Sequence, residues 1–253
     1  MRAVIVIPAR LESTRLPNKL LLAESGKPLI CHTVERAAQI CAMADCFVEV
    51  IAAADDERIV AAVAEHARKT GVAVRAVMTD PGHQSGSDRI AEVARSLPPD
   101  IDAVLNLQGD EPEIPAAAVL ELAKYFSAVR PDIATLVYPI QPADRANPAL
   151  VKAVLGTSGR ALYFSRADIP YRRDEGAFSP PSYGHVGVYL YGRAALERFV
   201  ELPAGVLERT EKLEQLRALE NGMSIYAHIL SQRPPKGIDT REDYEDFLRA
   251  LRG

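Results

Sequence analysis

Three cations spaced along one short loop are the first residues in this 253-residue chain whose types point to chemistry. Arg10, Arg15 and Lys19 follow directly on an apolar run at 3–7 that reads as a buried strand, and Pro8 and Pro17 bound the loop that carries them. A basic loop at the end of such a strand suits a polyphosphate, because Coulomb attraction and charge-assisted hydrogen bonds act on it together. In open α/β sheets these loops border the ligand crevice. A solvated basic loop is the plainer alternative. The sequence has no GxxxxGK[ST] and no GxGxxG after a strand, so side-chain cations must do the phosphate binding.

Six further stretches carry candidate chemistry. In His83-Gln84-Ser85-Gly86-Ser87-Asp88-Arg89, Ser85 and Asp88 have capping-box spacing, so a helix should begin near Gly86. Gly86 lets a ligand approach the backbone, and Gln84 and Ser85 offer donors and acceptors to a base or ribose; a plain helix start is the alternative. In Gln108-Gly109-Asp110-Glu111, Asp110 lies just past the apolar run 103–107. Magnesium takes one or two carboxylates and completes its shell with water and phosphate oxygens, which a lone Asp fits. Asp239 in Gly237-Ile238-Asp239-Thr240 is a candidate second ligand, or else the cap of a final helix. In His185-Val186-Gly187-Val188-Tyr189, strand alternation sets His185, Gly187 and Tyr189 on one face, with space at Gly187 for a small polar ligand; a buried, hydrogen-bonded histidine explains His185 as well. A helix over 206–221 would group Glu211, Glu214, Gln215 and Ala218 opposite Leu213 and Leu216, a face either solvated or suited to sugar hydroxyls. Arg166, after a strand at 162–165, is a candidate for a substrate carboxylate or for a surface ion pair.

The elements that position these residues follow from periodicity. Strands at 3–7, 47–53, 72–78 and 103–107 alternate with helices at 29–42, 57–70, 90–96 and 116–129, which implies crossover connections and a parallel, doubly covered sheet. Asp55 and Asp56 precede the second helix as its caps. The second half has strands at 134–140, 152–155, 162–165, 185–191 and 224–229, with helices at 193–201, 206–221 and 241–251. It reads as extra sheet plus a smaller lobe closing over a substrate. The charge-, Gly- and Pro-rich stretch 172–183 reads as an exposed loop.

Composition narrows the class. With 48% hydrophobic and 25% charged residues the chain is an ordinary globular protein, and a net charge of −4 favours no nucleic-acid partner. Three cysteines without a CxxC pair argue against zinc or a disulfide framework and for a reducing compartment. No apolar run reaches transmembrane length and none reads as a signal peptide, so no membrane insertion and a cytoplasmic location are expected.

Seven of these stretches, IPARLESTRLPNK (7–19), HQSGSDR (83–89), NLQGDEP (106–112), ALYFSRADIP (161–170), HVGVY (185–189), EKLEQLR (211–217) and GIDT (237–240), occur in the order found in the 3-deoxy-manno-octulosonate cytidylyltransferases, the CMP-Kdo synthetases, and the chain resembles that family over nearly its whole length. The resemblance implies an α/β, three-layer nucleotide-diphospho-sugar-transferase-like fold with a mostly parallel central sheet. It also implies a single cytidylyltransferase domain over 1–253, with 1–130 mainly nucleotide-binding and 131–253 mainly sugar-binding and dimerising. The implied reaction is CTP plus 3-deoxy-manno-octulosonate (Kdo) giving CMP-Kdo and pyrophosphate with Mg2+, in a homodimer. Arg10, Arg15, Lys19 and Asp110 are implied as catalytic. Pro8, Ala9, Gln84, Ser85, Gly86 and Arg89 join the cations around the nucleotide. Gln108, Arg166, His185, Tyr189, Glu214 and Gln215 are implied to line the sugar pocket, and Asp110 and Asp239 to hold the metal.

The chain departs from the family's usual pattern at several positions. Asn18 replaces a common Gly but tolerates positive φ. Leu20 replaces Pro, Ala54 and Ser87 replace Thr, and Tyr171 replaces Trp. These changes bear on the sugar more than on the chemistry, so a modified Kdo such as the 8-amino form, or another 2-keto-3-deoxy sugar acid, is an alternative substrate. A nucleotide-binding paralogue without catalysis is the rival from another class.

Overall fold

The structure, a computed structural model, describes residues 1–173 and 181–252, which form two compact units: 1–120 with 234–252, and 121–233 without 174–180. Most of the loop expected over 172–183 lies outside the described residues.

In the first unit, β1 (Ala3–Ala9) is buried at every residue, with β2 (Phe47–Ala54) parallel on one side and β4 (Ala103–Asn106) parallel on the other. A strand covered on both edges and both faces needs the continuous Val/Ile run that opens this sequence. β3 (Arg75–Met78) adds to β2. It is shorter than the expected 72–78, its residues being half-exposed at this edge. Helices α1 (Leu29–Ala42), α2 (Glu57–Thr70) and α3 (Gly86–Arg95) occur in the crossover connections. Ser85 and Asp88 complete the capping box that starts α3. Asp56 alone caps α2, accepting from Arg58 N; Asp55 instead accepts from Leu11 N at 2.9 Å and so ties the basic loop to β2.

That loop is shaped from within. Leu16 and Leu20 are buried and anchor it. Asn18 takes a left-handed conformation (φ 52°), turning the chain into the short 3-10 turn Lys19–Leu21. The helix α4 (Ala116–Val129) runs across the boundary in sequence.

The second unit centres on β5 (Ile133–Pro139). The strand β6 (Lys152–Leu155) pairs antiparallel with β7 (Ala161–Ser165) and with β8 (Tyr183–Gly192). β8 is antiparallel to β5, with a bulge: Thr135 pairs with Tyr189 and Leu136 with Val186, leaving Gly187 and Val188 without counterparts. After α5 (Arg193–Glu201), the single helix expected over 206–221 is two, α6 (Val206–Glu211) and α7 (Gln215–Glu220). Lys212 sits between them in the left-handed region (φ 54°), and the break redirects the side chains: Gln215 and Ala218 are buried with Leu213 and Leu216 instead of facing away from them. β9 (Ile225–Ile229) then adds parallel to β5.

The chain returns to the first unit with α8 (Arg241–Arg252), so residues 234–252 group with 1–120. The architecture is mixed α/β with a mostly parallel central sheet, as the alternation of elements implied. Among the described residues no helix is long and apolar enough to cross a membrane.

Candidate active site

The first unit contains a cavity of about 460 Å³ whose lining joins the two N-terminal motifs with the C-terminal one. Pro8, Arg10, Arg15 and Lys19 come from the end of β1 and its loop, Gln84, Ser85 and Gly86 from the start of α3, Gln108 and Asp110 from the turn after β4, and Asp239 from the segment before α8. A side chain at Gly86 would extend toward Pro8 and Gln108, so its absence keeps the cavity open. Gln108 donates to Asn106 Oδ1 at 2.9 Å. Gln84 donates to Gly82 O at 2.9 Å. The Ser85 hydroxyl and backbone N–H are both taken up by the helix cap: the hydroxyl accepts from Asp88 N and donates to Asp88 Oδ2, and Ser85 N donates to the same Asp88 oxygen at 3.0 Å.

The cations are set for an anion. A terminal nitrogen of Arg10 is buried with no hydrogen-bond partner among the described residues. A buried guanidinium group without an acceptor is costly, and a phosphate oxygen would satisfy it. Lys19, its side chain only 10% exposed, places Nζ 2.5 Å from Asp110 Oδ2 and 3.1 Å from Asp239 Oδ1. Arg15 reaches the same Asp239 oxygen at 2.9 Å.

Both expected metal ligands thus meet the Lys19 ammonium, and Asp239 meets the Arg15 guanidinium as well. Asp110 is fixed because Ile238 N donates to its carbonyl at 2.9 Å, binding the C-terminal segment to the turn after β4. Asp239 is not the cap of α8. Thr240 and Asp243 perform that role: Asp243 Oδ2 accepts from Asp239 N and Thr240 N at 3.0 and 2.9 Å, and the Asp239 carboxylate stays available. Among the described residues no group of three or more His, Cys, Asp or Glu side chains forms a metal-binding cluster. Two carboxylates reaching one cation are a donor set that fits a hard divalent ion sharing its shell with phosphate and water.

Glu111, which sequence reasoning passed over, belongs to the same cluster. Burial, then the charges of Asp110 and Asp239, push its carboxyl up to about 8. Its position beside Asp110 in the sequence was the available signal.

Two expected nucleotide residues lie elsewhere. Ala9 is buried inside β1. Arg89 is 0% exposed, bonded to Thr79 Oγ1 and to Asp55 Oδ2 (3.4 Å), and burial lowers its affinity for its proton. Through Asp55 it braces Leu11 N; it does not line the cavity. Its place in a conspicuous motif suggested contact, but the first turns of α3 direct it inward.

In the second unit the other five sugar candidates have distinct surroundings. Gly187 has nothing within 4 Å of where a side chain would begin, so room lies between His185 and Tyr189 on their face of β8. His185 packs edge-on against Phe164 (5.0 Å between ring centres) and tilts against Tyr189 (5.3 Å). Burial pulls its imidazole down to about 3 and pushes the Tyr189 phenol well up, Tyr191 and Glu214 adding to the latter. Gln215 is 7% exposed and its amide nitrogen has no partner among the described residues, while Glu214 lies 3.7 Å from Arg217. Arg166 spends Nε on Glu211 O and one terminal nitrogen on Pro148 O, at 3.0 and 3.1 Å. Three of its five N–H donors have no partner among the described residues. Tyr171 is 88% exposed.

The cytidylyltransferase family model matches residues 4–225. A relative from Aeromonas salmonicida named 3-deoxy-manno-octulosonate cytidylyltransferase is 45% identical, the alignment covering 99% of each chain. The solved structure of a CMP:2-keto-3-deoxy-manno-octonic acid synthetase complexed with CTP is similar with a TM-score of 0.88 at 37% identity, covering 100% of this chain and 99% of its own. A 4-diphosphocytidyl-2C-methyl-D-erythritol synthase from Anaerococcus prevotii, at 13% identity and a TM-score of 0.64 over 100% of this chain and 99% of its own, shares the fold. Full-length identity at this level makes the chain a nucleotidyltransferase belonging to the 3-deoxy-manno-octulosonate cytidylyltransferase family.

Proposed function

We propose that the chain joins CTP to Kdo, releasing pyrophosphate and forming CMP-Kdo. The observation that carries this reading is the buried, unpartnered Arg10 nitrogen beside Arg15 and Lys19 in a cavity that also holds Asp110 and Asp239. The sugar's anomeric hydroxyl oxygen forms the new bond to the α-phosphorus, the bond to the bridging oxygen of pyrophosphate breaks on the opposite side, and the hydroxyl proton passes to solvent. Such in-line displacement needs positioning and charge stabilisation more than a strong base. Arg10, Arg15 and Lys19 hold the triphosphate and spread the charge of the departing pyrophosphate. Asp110 and Asp239 would hold Mg2+, which supplies charge neutralisation at the phosphate oxygens and favours an ionised attacking hydroxyl. Gln84, Ser85 and Gly86 lie about the nucleoside. Gln108, Arg166, His185, Tyr189, Glu214 and Gln215 address the sugar acid. A cytoplasmic homodimer completes the reading; exposed apolar Leu162 and Ile229 are the kind of side chain a second copy would cover.

A pyrophosphate-release assay of the four nucleoside triphosphates against a panel of keto-deoxy sugar acids tests this. CTP with Kdo should give the highest kcat/KM, and only with a divalent ion. Preference for the 8-amino sugar would move the substrate within the class. No release with any pair would leave a nucleotide-binding protein without catalysis.

A further inference from the structure

We propose that Thr135 is a positioning residue whose hydroxyl locks His185 as its Nε2–H tautomer, turning Nδ1 into a fixed hydrogen-bond acceptor for a substrate hydroxyl. Only the identity of that hydroxyl rests on the sugar-binding reading above; the lock itself rests on geometry.

Thr135 is fully buried at the bulge between β5 and β8. Its Oγ1 has three polar neighbours, all on β8: Val188 O at 2.8 Å, His185 Nε2 at 2.9 Å and Val186 O at 3.2 Å. A hydroxyl has one hydrogen and two lone pairs, and a carbonyl can only accept. The single hydrogen therefore goes to a carbonyl, Val188 being nearest, and a lone pair faces Nε2. The hydrogen in the contact with His185 must then come from the ring. Were Nε2 bare, either two lone pairs would face each other or both buried carbonyls would lose the hydroxyl proton, a loss that burial makes expensive.

Desolvation keeps the imidazole neutral, so a hydrogen on Nε2 leaves none on Nδ1. Nδ1 has no hydrogen-bond partner among the described residues. The rings of Phe164 and Tyr189 restrict rotation of the imidazole, and the strand leaves open space at Gly187 on the same face. An acceptor held beside such space selects ligands that present a donor there and disfavours those that present a carbonyl or carboxylate oxygen. The bulge, common next to active sites, brings the two carbonyls to the threonine that sets this polarity.

Nitrogen NMR of histidine-labelled, unliganded protein at neutral pH reads the tautomer directly, with His185→Gln assigning the signal. The wild type should show a neutral ring protonated at Nε2. Thr135→Ser, which keeps the hydroxyl, should match it. Thr135→Val should populate the Nδ1–H form and raise the KM for the sugar about tenfold, with the KM for CTP unmoved and kcat little changed. A wild-type ring protonated at Nδ1, or at both nitrogens, would overturn the lock, whatever becomes of the valine variant's folding. An altered tautomer in Thr135→Val with an unmoved sugar KM would overturn the substrate contact and leave the lock standing.

Discussion

Lys19 in the first unit and His185 in the second are both held at their polar tips, by opposite means. Lys19 is held by charge: two carboxylates at 2.5 and 3.1 Å, one of them shared with Arg15. His185 is held by a neutral hydroxyl and two aromatic rings. Ion pairs of the first kind are exchangeable, because a phosphate can replace a carboxylate as the partner of an ammonium or guanidinium group, and the freed carboxylate can take a metal ion. The second kind fixes direction, since a hydroxyl with one hydrogen dictates which ring nitrogen carries a proton. On the proposed reading, one unit would handle charge that changes during reaction and the other would read the pattern of hydroxyls on a ligand whose charge there stays constant.

The sharpest way to break this contrast is Asp110→Ala. If the carboxylates of the first unit serve the reaction and not the fold, pyrophosphate release should fall about a thousandfold while CTP binding stays measurable. Near-normal turnover would remove Asp110 from the metal role. Lys19→Met should give a smaller and two-sided effect. The variant loses a phosphate contact, so CTP affinity should drop about tenfold. It also loses the ammonium that sits between Asp110 and Asp239, so titration calorimetry with magnesium alone should show tighter binding than in the wild type. Weaker magnesium binding would mean that Lys19 assembles the carboxylates instead of competing for them. Kdo affinity should be unaffected in either variant.

The two units also differ in how far they were legible in sequence. The first announces itself because its determinants are local: a Val/Ile run gives β1, Ser85 and Asp88 give the start of α3, and Asn18 permits the left-handed turn before Lys19. Its failures concern direction. Nothing in a motif says that Arg89 points inward to Asp55, or that Asp55 serves the loop instead of its own helix. The second unit depends on pairing between distant strands. The bulge that brings Val186 and Val188 to Thr135 is a property of register with β5, and β8 alone does not encode it. The break at Lys212 was hidden for a related reason. The helical pattern of 206–221 is continuous, but Glu211 takes the Ser165 hydroxyl and Arg166 N, contacts made 45 and 46 residues away. Even so, His185, Gly187 and Tyr189 were placed on one face by alternation alone, because period-two geometry survives a two-residue bulge.

The smallest expected effect separates exchangeable carboxylates from structural ones inside the first unit. Asp243 stands four residues from Asp239 but is buried, and it accepts from Asp239 N, Thr240 N and Lys236. Burial alone would raise its pKa; the hydrogen bonds from Lys236 and the two amides prevail and bring it to about 2, from 3.8. A carboxyl whose pKa is lower in the folded state stabilises the fold fully above 3.8, and that contribution disappears as the pH falls through about 2. Asp243→Asn should therefore cost about 2 kcal/mol at pH 7, and thermal melts of variant and wild type should converge as the pH approaches 2. Asp239→Asn should cost much less at pH 7, because its carboxylate caps nothing and meets the cavity cations Arg15 and Lys19 instead. An equal, pH-dependent loss in both variants would mean that Asp239 holds the segment in place, and the division between charges kept for exchange and charges kept for the fold would fail.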